Sequence, residues 1–100
     1  EVQTHEGEWV TAHPIENTLV VNVGDLMMRW TNEGFKSTPH RVVNSKGQER
    51  YSMVIAWDPN FDTVVDPSVV CQNGDLPLYL PVNCGDYVLS RFDSSFSYRK

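Results

Sequence analysis

The stretch Lys36-Ser37-Thr38-Pro39-His40-Arg41-Val42-Val43, the link Asn44-Ser45-Lys46-Gly47-Gln48 and the return Glu49-Arg50-Tyr51-Ser52-Met53-Val54 decide how this chain is read. Two runs of strand-forming residues flank a short polar link, which is the pattern of a β-hairpin. A three-residue loop Ser45-Lys46-Gly47, with Gly47 in the left-handed region, is a favoured connection. It sets Asn44 opposite Gln48, Val42 opposite Arg50 and His40 opposite Ser52, so that His40, Val42, Arg50, Ser52 and Val54 share one face. A loop of two or four residues separates His40 from Arg50. Pro39 has no N–H to give to a ladder and marks the first strand as edge or bulged.

The composition around this stretch agrees with strands. There are 14 Val against 2 Ala and 6 Leu, a balance that favours pleated surfaces over helices. One hundred residues make one small domain, and a chain of this size buries about two-thirds of its unfolded surface. The formal net charge is −5, with no basic run beyond Arg99-Lys100, which excludes a phosphate-backbone partner and so nucleic acid. Met53-Val54-Ile55-Ala56-Trp57 is the longest apolar run, far below the roughly 20 residues of a bilayer span, so no membrane segment is expected. Cys71 and Cys84, with 12 residues between them, fit neither a redox pair nor a zinc framework. Two free thiols in a reducing, cytoplasmic setting are the expectation.

Outward from the hairpin, Glu1 to Thr4 and Trp9 to Thr11 alternate around the turn residues His5-Glu6-Gly7-Glu8, so the chain opens inside a hairpin arm. That opening, with Glu1 in place of a start methionine, points to sequence upstream; Glu1 to Thr4 lack the features of a secretory signal. Thr18 to Val23 reads as a well-buried strand stopped by Gly24-Asp25. Leu26 to Trp30 makes a short helical turn or irregular strand, Asn32-Glu33-Gly34 is a turn, and Thr63 to Val65 is a short extended piece. Pro67 to Pro81 is mainly loop. Asn83 caps one convincing helix from Cys84 to about Phe92, with Asp86 as a shortened capping-box partner, and a frayed tail follows from Asp93 to Lys100. Trp9, Trp30, Phe35, Tyr51 and Trp57 are assigned to core packing, and Asn22 and Asp25 to backbone hydrogen bonds around Gly24.

On the hairpin face, an imidazole, a guanidinium and a hydroxyl stand beside Val42 and Val54. Such groups need a ligand or partners when they face inward. A planar guanidinium beside a hydroxyl suits a carboxylate, gripped bidentately with one further hydrogen bond, and a neighbouring imidazole can ligate a divalent metal. Together they point to a metal-chelated carboxylic acid. Read singly, each has an ordinary structural explanation: a strand His is most often satisfied by neighbours, and R-x-S triplets are common.

Asn22-Val23-Gly24-Asp25, Trp30-Thr31-Asn32, Phe35 to Val42 and Glu49-Arg50-Tyr51-Ser52 resemble, in order and spacing, the C-terminal barrel of the 2-oxoglutarate/Fe(II)-dependent oxygenase superfamily. The likeness is to the branch with isopenicillin N synthase, gibberellin oxidases and flavonoid oxygenases. Asp58-Pro59-Asn60, Cys71, Gly74-Asp75, Pro77 and Gly85-Asp86-Tyr87 extend it along essentially the whole chain. The resemblance implies a mainly β fold: a double-stranded β-helix (jelly-roll, cupin-like) present as a partial barrel with a C-terminal α-helix, residues 1–100 being the C-terminal portion of the domain. It implies iron in a 2-His-1-carboxylate triad with open positions for 2-oxoglutarate and dioxygen. By position His40 matches the distal histidine ligand, and Arg50 and Ser52 match the residues that hold the far carboxylate of 2-oxoglutarate. The implied activity is a dioxygenase that hydroxylates, desaturates or cyclises a small organic molecule while 2-oxoglutarate becomes succinate and CO2.

One departure matters. The other two ligands normally come as H-x-D, and neither His5 nor His13 begins such a motif. They are expected upstream of Glu1, so residues 1–100 alone should bind Fe(II) weakly and be inactive. Two other readings stay open. Isopenicillin N synthase and the ethylene-forming enzyme use this barrel without 2-oxoglutarate, so Arg50 and Ser52 could hold a substrate carboxylate; or the chain is a non-catalytic remnant that keeps only a carboxylate-binding function.

Overall fold

The computed structural model describes residues 1–99. Strands β1 (Val2–Gln3) and β2 (Trp9–Val10) pair antiparallel, Val2 opposite Val10 and Gln3 opposite Trp9. The turn between them is closed by the Thr4 N–H on the Glu8 carbonyl at 2.8 Å and the Gly7 N–H on the Thr4 carbonyl at 3.0 Å. Gly7 sits at φ +87°, where a side chain would be strained. This is the opening hairpin that the alternation of Glu1 to Thr11 predicts. On its other edge β1 receives the His40 segment: Val2 lies opposite His40, the Gln3 N–H bonds the Pro39 carbonyl and the Arg41 N–H bonds the Glu1 carbonyl, both at 2.9 Å.

The C-terminal half holds the densest packing. Strand β3 (Val64–Val65) pairs antiparallel with β4 (Val82–Asn83), and around them lie helix α1 (Asp25–Trp30), a 3₁₀ turn at Pro67–Val70 and helix α2 (Cys84–Ser95). Val65, Pro67, Cys84 and Gly85 are buried at this junction. A Cβ on Gly85 would fall 3.2 Å from both the backbone oxygen and the Cβ of Phe61, so a larger residue there would crowd Phe61. Asn83 caps α2 as expected, its Oδ1 accepting from the Asp86 N–H at 3.2 Å. Asn83→Ala should therefore lower stability by about 1 kcal/mol, read as a reduced denaturant midpoint at unchanged slope. Beyond the expected end at Phe92 the helix runs on to Ser95 and a 3₁₀ turn covers Ser97–Arg99, tied by Arg99 to Asp93 at 3.0 Å, so the tail is ordered where fraying was expected. Lys100 lies outside the described residues.

The loop after the 3₁₀ turn is held by the end of α1. Asn32 accepts from the Leu78 N–H at 2.7 Å and donates to the Leu76 carbonyl at 3.3 Å, while Arg29 donates to the Leu80 carbonyl at 2.8 Å and lies over the Tyr79 ring. The Tyr79 hydroxyl donates to Glu33 at 2.6 Å, and Lys36 donates to the same carboxylate at 2.8 Å. Asn32 thus does more than turn the chain. The Lys36 bond first, then that of Tyr79, holds the Glu33 carboxyl below its usual range. A carboxyl lowered in the fold stabilises above its unfolded pKa and loses that contribution as pH falls through the lowered value. The Tyr79 ring resonances should shift on acidification with a midpoint below that of an ordinary glutamate; an ordinary midpoint would count against the clasp.

Several expected elements are not formed. The segments Lys36 to Val43 and Glu49 to Trp57 make no ladder with each other among the described residues. Gly47 does take the left-handed conformation, φ +61°, but the Asn44 side-chain amide donates to the Gln48 carbonyl at 2.8 Å, the acceptor a ladder would use there. A lone two-stranded ribbon is marginal in water without further strands. Thr18 to Val23, read as a buried strand, is not a strand, and its Leu19, Val20 and Val21 are exposed. Trp57 is 94% exposed, and Tyr51 and Phe35 are also exposed, so these aromatics are not core. Asp25 pairs with Arg91 at 3.2 Å, instead of bonding the backbone around Gly24.

The radius of gyration, 16.6 Å, exceeds the roughly 13 Å of a compact 100-residue domain. Large apolar side chains such as Met53, Val54, Ile55 and Trp57 face water in a row. Residues 1–100 alone should therefore self-associate, and sedimentation showing a clean monomer at high concentration would contradict that expectation.

Candidate active site

His40 is placed by its neighbours in sequence and by β1. Pro39 disfavours helical backbone at Thr38, and the Thr38 carbonyl lies 3.0 Å from His40 Nδ1. A carbonyl can only accept, so in the neutral ring Nδ1 carries the hydrogen and Nε2 keeps its lone pair. A histidine oriented in this way, by a backbone acceptor on the other nitrogen, is prepared to ligate a metal. The ring is exposed, on the same face of the ladder as Val2 and Val10. Glu1, Gln3, Trp9 and Arg41 occupy the opposite face by the same register.

Arg50 lines an open cavity of about 320 Å³ with Glu1, Thr11, Arg41, Val42, Val43 and Ser45. Its guanidinium differs from the others in the chain. Arg41 pairs with Glu1, Arg91 with Asp25 and Arg99 with Asp93, and Arg29 bonds the Leu80 carbonyl. Arg50 has neither ion pair nor hydrogen bond among the described residues. Ser52 is exposed and likewise unbonded among them. Val42 and Arg50 both line the cavity, but His40 and Ser52 are not in its walls, so the structure does not gather His40, Arg50 and Ser52 into one pocket.

Among the described residues no three His, Cys, Asp or Glu side chains converge on a possible metal position. His5 and His13 are exposed, as expected of loop residues. The residues present could offer iron one imidazole, that of His40, and a carboxylate one guanidinium, that of Arg50. Cys71 and Cys84 are free thiols, and burial, with Asp58 nearby, pushes the Cys84 thiol up, which makes it a poor nucleophile. Among the described residues no helix is long and apolar enough to cross a membrane.

The family model described as the 2OG-Fe(II) oxygenase superfamily matches residues 1–59, a stretch that includes His40, Arg50 and Ser52. The chain belongs to this superfamily. It is 35% identical over 98 residues to homoarginine-6-hydroxylase 2-ODD-233 of Oryza sativa subsp. japonica, covering 96% of the chain and 30% of that protein. It is 39% identical over 92 residues to the 2-oxoglutarate-Fe(II) type oxidoreductase hxnY of Emericella nidulans, covering 90% of the chain and 26% of that protein. Among solved structures, a full-length Neurospora crassa protein crystallised in complex with alpha-KG and thymine superposes with a TM-score of 0.77 at 31% identity, covering 95% of the chain and 30% of the Neurospora chain. The chain thus spans less than a third of each of these proteins. The superfamily's metal is Fe(II) and its co-substrate is 2-oxoglutarate, the alpha-KG of the Neurospora complex. The likeness to that structure agrees with the jelly-roll class, although the strands formed here are each two residues long.

Reading the sequence alone missed the pairing of β1 with His40 and the cluster of Glu1, Trp9 and Arg41 that comes with it. The alternation of Glu1 to Thr4 signalled a strand, but no local pattern names a partner some forty residues away.

Proposed function

We propose that this chain is the C-terminal portion of the catalytic barrel of an Fe(II)- and 2-oxoglutarate-dependent dioxygenase that oxidises a small organic molecule. The observation that carries this reading is the His40 imidazole, turned by the Thr38 carbonyl so that Nε2 is free, inside the stretch matched by the superfamily. His40 Nε2 supplies one ligand to Fe(II). Arg50, whose charge nothing else among the described residues matches, grips the far carboxylate of 2-oxoglutarate through its planar fork, and the Ser52 hydroxyl adds a hydrogen bond. Bound Fe(II) supplies the activation of dioxygen, with 2-oxoglutarate converted to succinate and CO2 as the prime substrate is hydroxylated, desaturated or cyclised. The remaining ligands come from outside this chain. We place the protein in the cytoplasm on the strength of its two free thiols.

The test is oxygen uptake by the full-length protein with 2-oxoglutarate and a panel of small molecules. One succinate formed per dioxygen consumed is expected. Oxygen uptake without 2-oxoglutarate would instead assign Arg50 and Ser52 to a substrate carboxylate. The unmatched Arg50 also allows a carboxylate-binding remnant without iron chemistry, which would bind 2-oxoglutarate but form no succinate.

A further inference from the structure

Arg41, the residue after the proposed iron ligand, is tied to its neighbours through both its side chain and its backbone. Arg41 Nε donates to Glu1 Oε2 at 2.7 Å, and its guanidinium carbon stands 4.1 Å from the centre of the Trp9 ring. Its N–H bonds the Glu1 carbonyl and its own carbonyl accepts from the Glu1 nitrogen, both at 2.9 Å. One side chain therefore joins three consecutive strands of the patch: its own, β1 through Glu1 and β2 through Trp9. Besides this side chain, three backbone hydrogen bonds to Glu1 and Gln3 hold the His40 segment, and they end at Arg41. Pro39 has no N–H, the ladder to β1 is a single bridge, and the run from Val42 to Val43 has no backbone partner among the described residues. The register puts Arg41 on the face opposite His40, so it has no route to a metal bound there except through the backbone.

We propose that Arg41 is a positioning residue for His40: by clamping the segment to Glu1 and Trp9, it fixes the backbone from which the imidazole projects and so sets the ligand's direction. This rests on the reading of His40 as an iron ligand. A stacked, bidentate-capable guanidinium is what the cluster needs, because a lysine ammonium at the same position keeps the charge pairing with Glu1 but loses the planar face laid on Trp9.

The experiment uses the full-length protein, with Co(II) as a spectroscopic probe titrated anaerobically beside Fe(II). Groups that orient a ligand without touching the metal are worth about 10–100-fold in affinity. Arg41→Ala should weaken Co(II) binding roughly tenfold and alter its visible d–d bands, while a saturating Fe(II) concentration recovers most of the turnover. Arg41→Lys should recover part of the affinity. Thermal melting of each metal-free variant separates misfolding from mispositioning, and Trp9→Phe, which keeps a ring under Arg41, should remain close to wild type in Co(II) affinity. Wild-type Co(II) affinity and bands in a folded Arg41→Ala would overturn the inference, as would full recovery by any substitution that only restores the melting temperature. His40→Ala is the separate control: if it binds Co(II) as wild type does, the ligand reading itself is wrong, whereas loss in His40→Ala with no change in Arg41→Ala defeats the positioning role alone.

Discussion

Replacing Arg50 with lysine in the full-length protein should raise the 2-oxoglutarate concentration needed for half-maximal turnover by about 10–100-fold, with a much smaller effect on the rate at saturation. Hydrogen bonds to charged groups are worth about 1.5–3 kcal/mol, and about 1.4 kcal/mol is a factor of ten in affinity. Lysine keeps the charge but replaces a planar fork by a point donor, so the loss is mostly in binding the co-substrate. Arg50 carries this expectation because it is the guanidinium left without a partner among the described residues; Arg41, its neighbour across the cavity, is already neutralised by Glu1. Steady-state kinetics in 2-oxoglutarate measure the effect. An unchanged requirement would remove Arg50 from the role, and an effect confined to the prime substrate would move its carboxylate there.

Replacing His40 with alanine should abolish tight Fe(II) binding and reduce coupled succinate formation by more than about a hundredfold, beyond the range seen for groups that only orient a ligand. On the proposed reading the imidazole is the ligand this chain contributes, its Nε2 left free to coordinate by the Thr38 carbonyl at Nδ1. Iron titration of the variant, followed by succinate measurement after oxygen is admitted, checks both parts. Tight iron binding in His40→Ala would mean that the protein's ligands all lie elsewhere.

What was legible in the sequence was local chemistry. Asn83 ahead of an apolar stripe announced the capped helix, Gly47 announced a left-handed turn, and the resemblance carried by Asn22 to Asp25, Trp30 to Asn32, Phe35 to Val42 and Glu49 to Ser52 pointed to the superfamily. What was not legible was which strands meet. The loop Ser45-Lys46-Gly47 turns as expected, yet the strands beside it do not pair; the Asn44 side chain bonds the Gln48 carbonyl, and the His40 segment bridges β1 on its other edge. The apolar runs in Thr18 to Val23 and Met53 to Trp57 say that these residues belong against other protein, but a burial pattern does not say whether that protein lies in the same hundred residues. Their exposure here is the physical consequence. The clasp of Arg29, Asn32 and Glu33 on the loop from Leu76 to Leu80 was likewise invisible, since it joins two segments that each read as simple turns.

The same limit governs the site. His40 projects from the face of Val2 and Val10, while the Arg50 cavity is walled in part by Glu1, Thr11 and Arg41 from the other face. On the proposed reading, gathering the imidazole and the guanidinium around one ligand requires a change in how these two faces meet. The most direct test is an anaerobic crystal structure of the full-length protein with Fe(II) and 2-oxoglutarate. His40 Nε2 bonded to the iron, with the Arg50 fork and the Ser52 hydroxyl on the far carboxylate of the same 2-oxoglutarate, is the expected result. Iron coordinated without His40, or 2-oxoglutarate bound with Arg50 turned to solvent, would contradict the account.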